Sequence, residues 1–321
     1  MKKIQKFIEP QITSTYAGEF AGQYIAAALL SARTLDNKLI TIHPNVKFKE
    51  VLQKVAVDGI VQDASCDFVT SGSVVLSERI LEPKELQVNL QLCKQEFVDS
   101  WEALQLGYSA FDSIPANFND FLISYVGGKV AEATEQSIWQ GTNVNGQFLG
   151  FESAFSASIA AGGATAVLAA KSGSIIISGS VTSANVLDKL NSVVNTIPDT
   201  VYGKEDVLLY VSTNVAKAYQ QALAGGAIGA NGWNNRMNVG EKPFNFNGIE
   251  IVLCPGMSAS KIVAAQKSNL FFGTGLLSDH NEVRVLDMAN LDGSQNYRII
   301  MRYTAGVQFG IGQDIVYYGA Y

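Results

Sequence analysis

From Leu86 to Cys93 the chain alternates aliphatic and polar residues one for one. Leu86, Val88, Leu90 and Leu92 are separated by Gln87, Asn89 and Gln91. A period of two sends the aliphatic residues to one face of a strand and the amides to the other. Val74, Leu76 and Ile80 come just before, and Glu82-Pro83-Lys84 reads as a turn, so residues 73–97 are expected to form a long β-hairpin. An isolated hairpin is marginal in water. Its aliphatic face must therefore rest on its own domain or on a neighbouring molecule.

The period then changes. Between Ala116 and Gln140, residues Phe118, Phe121, Leu122, Tyr125, Val126, Val130, Ala133 and Ile138 make a broad apolar face at helical spacing. Pro115 suits the start of that helix and Gly141 its end. Gly127-Gly128 inside it implies a close backbone contact or a bend. Residues 152–182 are rich in Ser, Ala and Gly and read as a loop, with a short strand at Ile175-Ile176-Ile177. Beyond them helix and strand alternate. Val186 to Ile197 has helical spacing and stops at Pro198, Val207 to Val211 suits a buried strand, and Thr213 to Ala224 suits a second helix ended by Gly225-Gly226. Asn247-Gly248, flanked by Phe244, Phe246, Ile249 and Ile251, is the strongest hairpin-turn signal in the chain. The runs Ile262–Ala265, Val283–Met288, Tyr297–Tyr303 and Ile315–Tyr318 read as closing strands.

Charge narrows the function classes. The 321 residues carry 23 basic and 29 acidic side chains, a net −6, which excludes a protein that binds nucleic acid through bulk positive charge. Hydrophobic residues make up 47%, enough for a core, and charged ones only 16%, well below the ~25% of an ordinary domain. Residues 1–50 hold the one basic bias, seven basic against four acidic. They read as a solvated arm, with contact to nucleic acid or an acidic partner as the sharper alternative. Met1-Lys2-Lys3 imitates the start of an export signal, but Glu9 and Pro10 interrupt the apolar run that should follow. The stretch Ala26–Leu30 is too short to cross a bilayer, so no membrane association and no export are expected.

Candidate chemistry is sparse. Cys66, Cys93 and Cys254 are far apart and read as reduced, buried thiols. His43 and His280 are the two histidines, and neither belongs to a metal-binding grouping. Gly273-Thr274-Gly275 and Gly310-Ile311-Gly312 do not complete a dinucleotide loop, and Gly127-Gly128-Lys129 lacks the rest of a phosphate loop. There is no G-x-S-x-G elbow. Glu132 with Glu135 reads as a charged helix face, and Glu205-Asp206 as a loop. Trp101, Trp139 and Trp233 read as packing or interface anchors. No catalytic, cofactor-binding or metal-binding residue is therefore assigned.

The order of elements (arm, long hairpin, long helix, compact α/β region, closing strands) resembles the major capsid proteins of tailed bacteriophages, whose α+β fold is shared with encapsulins and herpesvirus shells. Two local stretches add to the likeness. Asn269-Leu270-Phe271-Phe272-Gly273-Thr274-Gly275 resembles a late strand-and-turn of such proteins. Arg302-Tyr303-Thr304-Ala305-Gly306-Val307-Gln308, with Ile315-Val316-Tyr317-Tyr318, resembles their closing strands. The resemblance implies an N-terminal arm over 1–45, an extended β-hairpin loop over 46–105, and a peripheral domain over 106–182 with its spine helix at 116–140. It further implies an axial domain over 183–265 and strands over 266–321 that close back onto the peripheral domain.

It also implies a function: self-assembly into an icosahedral shell around double-stranded DNA. The partners would be further copies in hexamers and pentamers, a separate scaffolding protein, a portal, and packaged DNA held weakly and without sequence preference. The location would be the virion capsid, assembled in host cytoplasm. Leu86, Val88, Leu90 and Leu92, with Glu82 and Lys84 at the hairpin tip, are the expected subunit interface. Some family members join an extended-loop lysine to a neighbour's asparagine, which would point to Lys84. The alternatives are an encapsulin-type compartment and, from another class, an uncharacterised α/β enzyme.

Overall fold

The computed structural model describes residues 33–58, 73–93, 116–226, 244–275, 284–288 and 293–319, apart from positions 47, 145 and 295. The expectations placed on Cys66, Trp101, Trp233, His280 and the arm before Arg33 lie outside these residues. The helices are α1 (Arg33–Asp36), α2 (Ala116–Gln140), α3 (Phe151–Ala161), α4 (Val186–Thr196) and α5 (Thr213–Gly226). The strands are β1 (Thr41–His43), β2 (Glu50–Asp58), β3 (Ser73–Leu81), β4 (Lys84–Cys93), β5 (Leu168–Ala169), β6 (Lys171–Ser172), β7 (Ile175–Ile176), β8 (Val207–Val211), β9 (Phe244–Phe246), β10 (Ile249–Leu253), β11 (Ile262–Gln266), β12 (Leu270–Thr274), β13 (Arg284–Asp287), β14 (Asn296–Phe309) and β15 (Val316–Tyr318). The mixed α+β character and the helix at 116–140 are as the periodicity predicts.

The chain divides into two compact units. The smaller holds residues 89–125 and 284–300 together with the chain start, and the larger holds 29–88, 126–283 and 301–321. In the smaller unit, β13 pairs antiparallel with the first part of β14, Arg284 opposite Ile300 and Asp287 opposite Tyr297. Arg298 Nε there donates to Gln91 Oε1 of β4 at 3.2 Å.

The larger unit is built on a six-stranded sheet in the order β5-β15-β11-β8-β10-β9. Its central strand, β8, reads Val-Leu-Leu-Tyr-Val and is buried at every position, the pattern of a strand covered on both faces. Helix α4 seals one core with Val186, Leu190, Val193 and Val194, the i, i+4, i+7, i+8 stripe of an amphipathic helix. Asn247 (φ 49°) and Gly248 (φ 83°) form the turn between β9 and β10, with Phe246 opposite Ile249. Two positive φ angles are what a two-residue hairpin turn requires.

Three expectations need correction. First, residues 152–182 are not simply a loop, since they begin with helix α3. Phe151 and Phe155, four apart, are fully buried and stack at 5.6 Å. The alanines of this stretch are strong helix formers. Second, the segment from Arg33 is not a solvated arm. Thr34 and Ile40 are buried, Tyr210 donates to the Leu39 carbonyl at 2.6 Å, and β1 runs parallel to β12.

The third correction concerns the hairpin. Strands β3 and β4 both exist, but they do not pair with each other. β3 pairs antiparallel with β2 over nine residue pairs, from Glu50 opposite Leu81 to Asp58 opposite Ser73, while β4 pairs with β14. Glu82 and Pro83 alone separate β3 from β4. A two-residue hairpin turn needs positive φ at its first central residue, and Glu82 does not adopt it, while Pro83 rules out the type with positive φ at both. The chain therefore turns out of one sheet and into another. The close approach of Gly306 secures this turn: a Cβ there would lie 2.9 Å from the Glu82 carbonyl oxygen and the Pro83 Cα. At Gly127 an added Cβ would meet nothing within 4 Å, so close contact does not explain that glycine.

Candidate functional site

The β2–β3 ribbon carries the apolar pattern expected of β4. Its register matches Val51 with Ile80, Val55 with Leu76 and Val57 with Val74, interrupted by Gln53 with Glu78. At the foot of the ribbon Val51 and Ile80 are each 47% exposed, and Phe48 beside them is 73% exposed. Its sequence signal is the alternation Val51, Val55, Val57, less regular than the run at 86–92 because Gln53 interrupts it.

The residues predicted for the interface divide. Leu86 is buried by its own chain, Val88 and Leu92 are half-buried, and Leu90 is 44% exposed. Glu82 pairs with Lys49 at 3.1 Å. Lys84 Nζ donates to the Asn143 carbonyl at 3.1 Å, to Asn143 Oδ1 at 3.2 Å and to the Gln147 carbonyl at 2.9 Å. Lys84 thus ties the β3–β4 turn to the loop after helix α2.

The foot of the ribbon is fixed by a short run of contacts. Leu81 is fully buried and packs on Gly273, where a Cβ would lie 2.8 Å from Leu81 Cδ2. Gln308 Nε2 donates to the Ile80 carbonyl at 2.9 Å. Arg79 Nε donates to the Gly310 carbonyl at 3.0 Å, and its guanidinium sits 4.0 Å from the centre of the Phe309 ring. Beside this foot opens a cleft of about 720 Å³, lined on the ribbon side by Leu52, Gln53 and Glu78 and opposite by Phe271, Ile311 and Gln313. His43 also lines it, with Ser268 and Thr165, and meets Glu50 through Nδ1 at 2.9 Å.

Deeper groups serve structure. Glu132 pairs with Lys129 at 2.9 Å as a charged helix face would, but Glu135 is fully buried, a correction to the shared-face reading. Glu135 accepts from the Thr34 backbone N–H at 3.0 Å and from Thr34 Oγ1 at 2.6 Å, and Trp139 Nε1 donates to that same hydroxyl at 3.0 Å. Burial pushes the Glu135 carboxyl above the usual range, against the pull of these hydrogen bonds and one from the Gly256 backbone. Burial likewise raises Glu152, opposed by bonds from Ser258 and by the Lys261 charge. The Cys254 thiol is pushed well up by burial and by the Glu135 carboxylate. A buried, protonated thiol is the opposite of an activated nucleophile. Among the described residues no group of three or more His, Cys, Asp or Glu side chains is placed to hold a metal ion, and no helix is long and apolar enough to cross a membrane.

No protein-family model and no curated protein matches the chain. Solved structures do. The capsid of an empty GTA particle, computed with C5 symmetry, superposes with a TM-score of 0.60 over 93% of this chain and 94% of that one, at 13% identity. A structure from Gordonia phage Cozz gives 0.57 over 93% and 90%, at 10% identity. The capsid of the cyanophage P-SCSP1u gives 0.54 over 97% and 93%, at 12% identity. The likeness runs through nearly the whole of each chain. The fold is therefore that of phage and GTA capsid proteins, as the order of elements implied.

Proposed function

We propose that this chain is a major capsid protein, a structural tile that assembles with many copies of itself into the icosahedral shell of a tailed phage or a related particle. The observation that carries this reading is the β2–β3 ribbon, a two-stranded element with aliphatic pairs in register and half-exposed Val51 and Ile80 at its foot. Such a ribbon gains stability from being covered. Burying the exposed half of an aliphatic side chain contributes on the order of 1 kcal/mol, and a shell repeats that contact in every copy. Contacts between different patches, repeated around a closing rotation, generate rings and shells. The similar structures, two of them described as capsids, support a phage-type shell over a cellular compartment.

A structural role rather than an enzymatic one fits the inert Cys254, the structural Glu135 and Glu152, and the low charge content. Leu90 remains in the proposed contact surface together with Val51 and Ile80, while Leu86 supports the fold. A scaffolding protein, a portal and weakly held DNA are the further partners we propose. The net charge of −6 suits a wall that does not grip the packaged polymer. The location we propose is the virion capsid, with assembly in the host cytoplasm.

The test is the size of the purified full-length protein under assembly conditions, read by light scattering and electron microscopy. Shell-like particles are expected, with V51D or I80D leaving folded, unassembled subunits. A stable monomer or small oligomer that never forms particles, alone or with its scaffolding partner, would overturn the proposal.

A further inference from the structure

We propose that Arg79 is the strut that sets the direction of the β2–β3 ribbon, and that the cleft beside it is the room into which the ribbon leans when the strut is released. This one side chain would then tune the angle between successive copies. The inference rests on the assembly reading above and goes further, by assigning the control of curvature to a residue.

Consider what holds the ribbon at its foot. Leu81 and the Ile80 carbonyl pin the end of β3 to β12 and β14 through Gly273 and Gln308. Two contacts this close together along one strand make a pivot, which fixes position better than direction. Glu50 of β2, opposite Leu81, meets His43 of β1 at 2.9 Å at the same end of the ribbon, and Arg79 adds a point that reaches a different place. Its Nε bonds the Gly310 carbonyl, its face lies on Phe309, and Nη2 stands 3.5 Å from the Thr165 carbonyl. No carboxylate forms an ion pair with this guanidinium among the described residues. It is held by carbonyl dipoles and an aromatic face, which act on a planar cation over a narrow range of angles.

The register places Leu52 opposite Arg79, and Leu52 and Arg79 both line the cleft. With about 720 Å³ of open space beside it, the ribbon has room on that side once the Arg79 contacts are released. The lever is long. A nine-residue strand spans about 30 Å, so a tilt of about 10° moves its far end by roughly 5 Å. A displacement of that size changes which residues of a neighbour the ribbon meets, and with it the rotation that relates one copy to the next.

The experiment compares particles formed by full-length wild type, R79A, R79K and G310A under the same assembly conditions. Diameters are read by electron microscopy, and the unfolding temperature of each unassembled subunit is measured alongside. G310A leaves Arg79 intact but moves its acceptor, since a Cβ there would lie 2.9 Å from Asn269 Oδ1 and 3.2 Å from the Phe271 ring. Wild type is expected to give one diameter class. R79A and G310A are expected to lose that single class for a spread of curvatures, with R79K, which keeps a carbonyl bond but cannot stack as well, intermediate. If R79A does not fold, R79K and G310A carry the same comparison. Variants that fold and give the wild-type diameter distribution would overturn the strut while leaving the shell reading intact. Wild type that forms no particle at all would instead overturn the shell reading.

Discussion

Glu135 and Glu152 grip the same stretch of chain from two helices. Glu135 of α2 contacts Gly256, and Glu152 of α3 accepts from the Ser258 backbone N–H at 2.7 Å. Both carboxyls are raised by burial, so the folded protein binds their protons more tightly than the unfolded chain does. Their contribution to stability therefore grows as pH falls through the raised folded values, and shrinks as they ionise above them. Asp206 has the opposite sign. Desolvation is outweighed there by hydrogen bonds from Gln266 and Ser268, which hold its carboxyl below the usual range. Its contribution is present above the unfolded value and is lost as pH falls through the lowered folded one. The urea midpoint of an E135Q/E152Q variant should accordingly rise less than that of wild type between neutral and mildly acidic pH. A wild type and variant with parallel pH profiles would exclude this account. At neutral pH, E135Q should lose less than E135A, since the amide oxygen still accepts from the Thr34 N–H while its NH2 cannot accept from Thr34 Oγ1. E135A should lose about 1–3 kcal/mol, because it strands that buried donor. None of this was legible in the sequence. Glu132 and Glu135 share one motif there, and only contacts distant in sequence, such as that with Thr34, separate the half-buried residue from the fully buried one.

At the scale of elements, the long helix, β8 and the Asn247-Gly248 hairpin were legible because each is decided locally, by period, length or turn chemistry. G248A should cost on the order of 1 kcal/mol, since φ of 83° strains any residue with a Cβ; a denaturant midpoint checks it. Helix α3 was not legible, because its stability comes from partners far away in sequence. Phe155 packs against Phe309 at 5.3 Å and Tyr317 at 5.7 Å. F155A should therefore cost about 3–5 kcal/mol, measured by thermal or denaturant unfolding. Strand pairing failed for a different reason. Alternation shows that β3 and β4 are strands, but their pairing depends on the junction, and Glu82-Pro83 supplies neither of the positive φ values that a tight hairpin turn uses.

For the whole molecule, the order of elements was enough to find the fold, but not the surface. The regular run at Leu86–Leu92 looked like the sticky face, yet its first member is buried at home while Val51 and Ile80 stand half in solvent. Exposure is a property of the assembled tertiary structure, and period two is blind to it. L90D is expected to leave the unfolding temperature within a few degrees of wild type while lowering the yield of particles; an unchanged yield would remove Leu90 from the contact surface. Lys84 bears on how such an assembly would hold together. Its amine is already surrounded by three oxygens from Asn143 and Gln147, which leaves it poorly placed as a nucleophile. Acetic anhydride should modify it more slowly than Lys49, as mass spectrometry of the digested protein would show. A preparation boiled in detergent should then run as one band of subunit mass, because no covalent bond forms at this lysine to hold copies together.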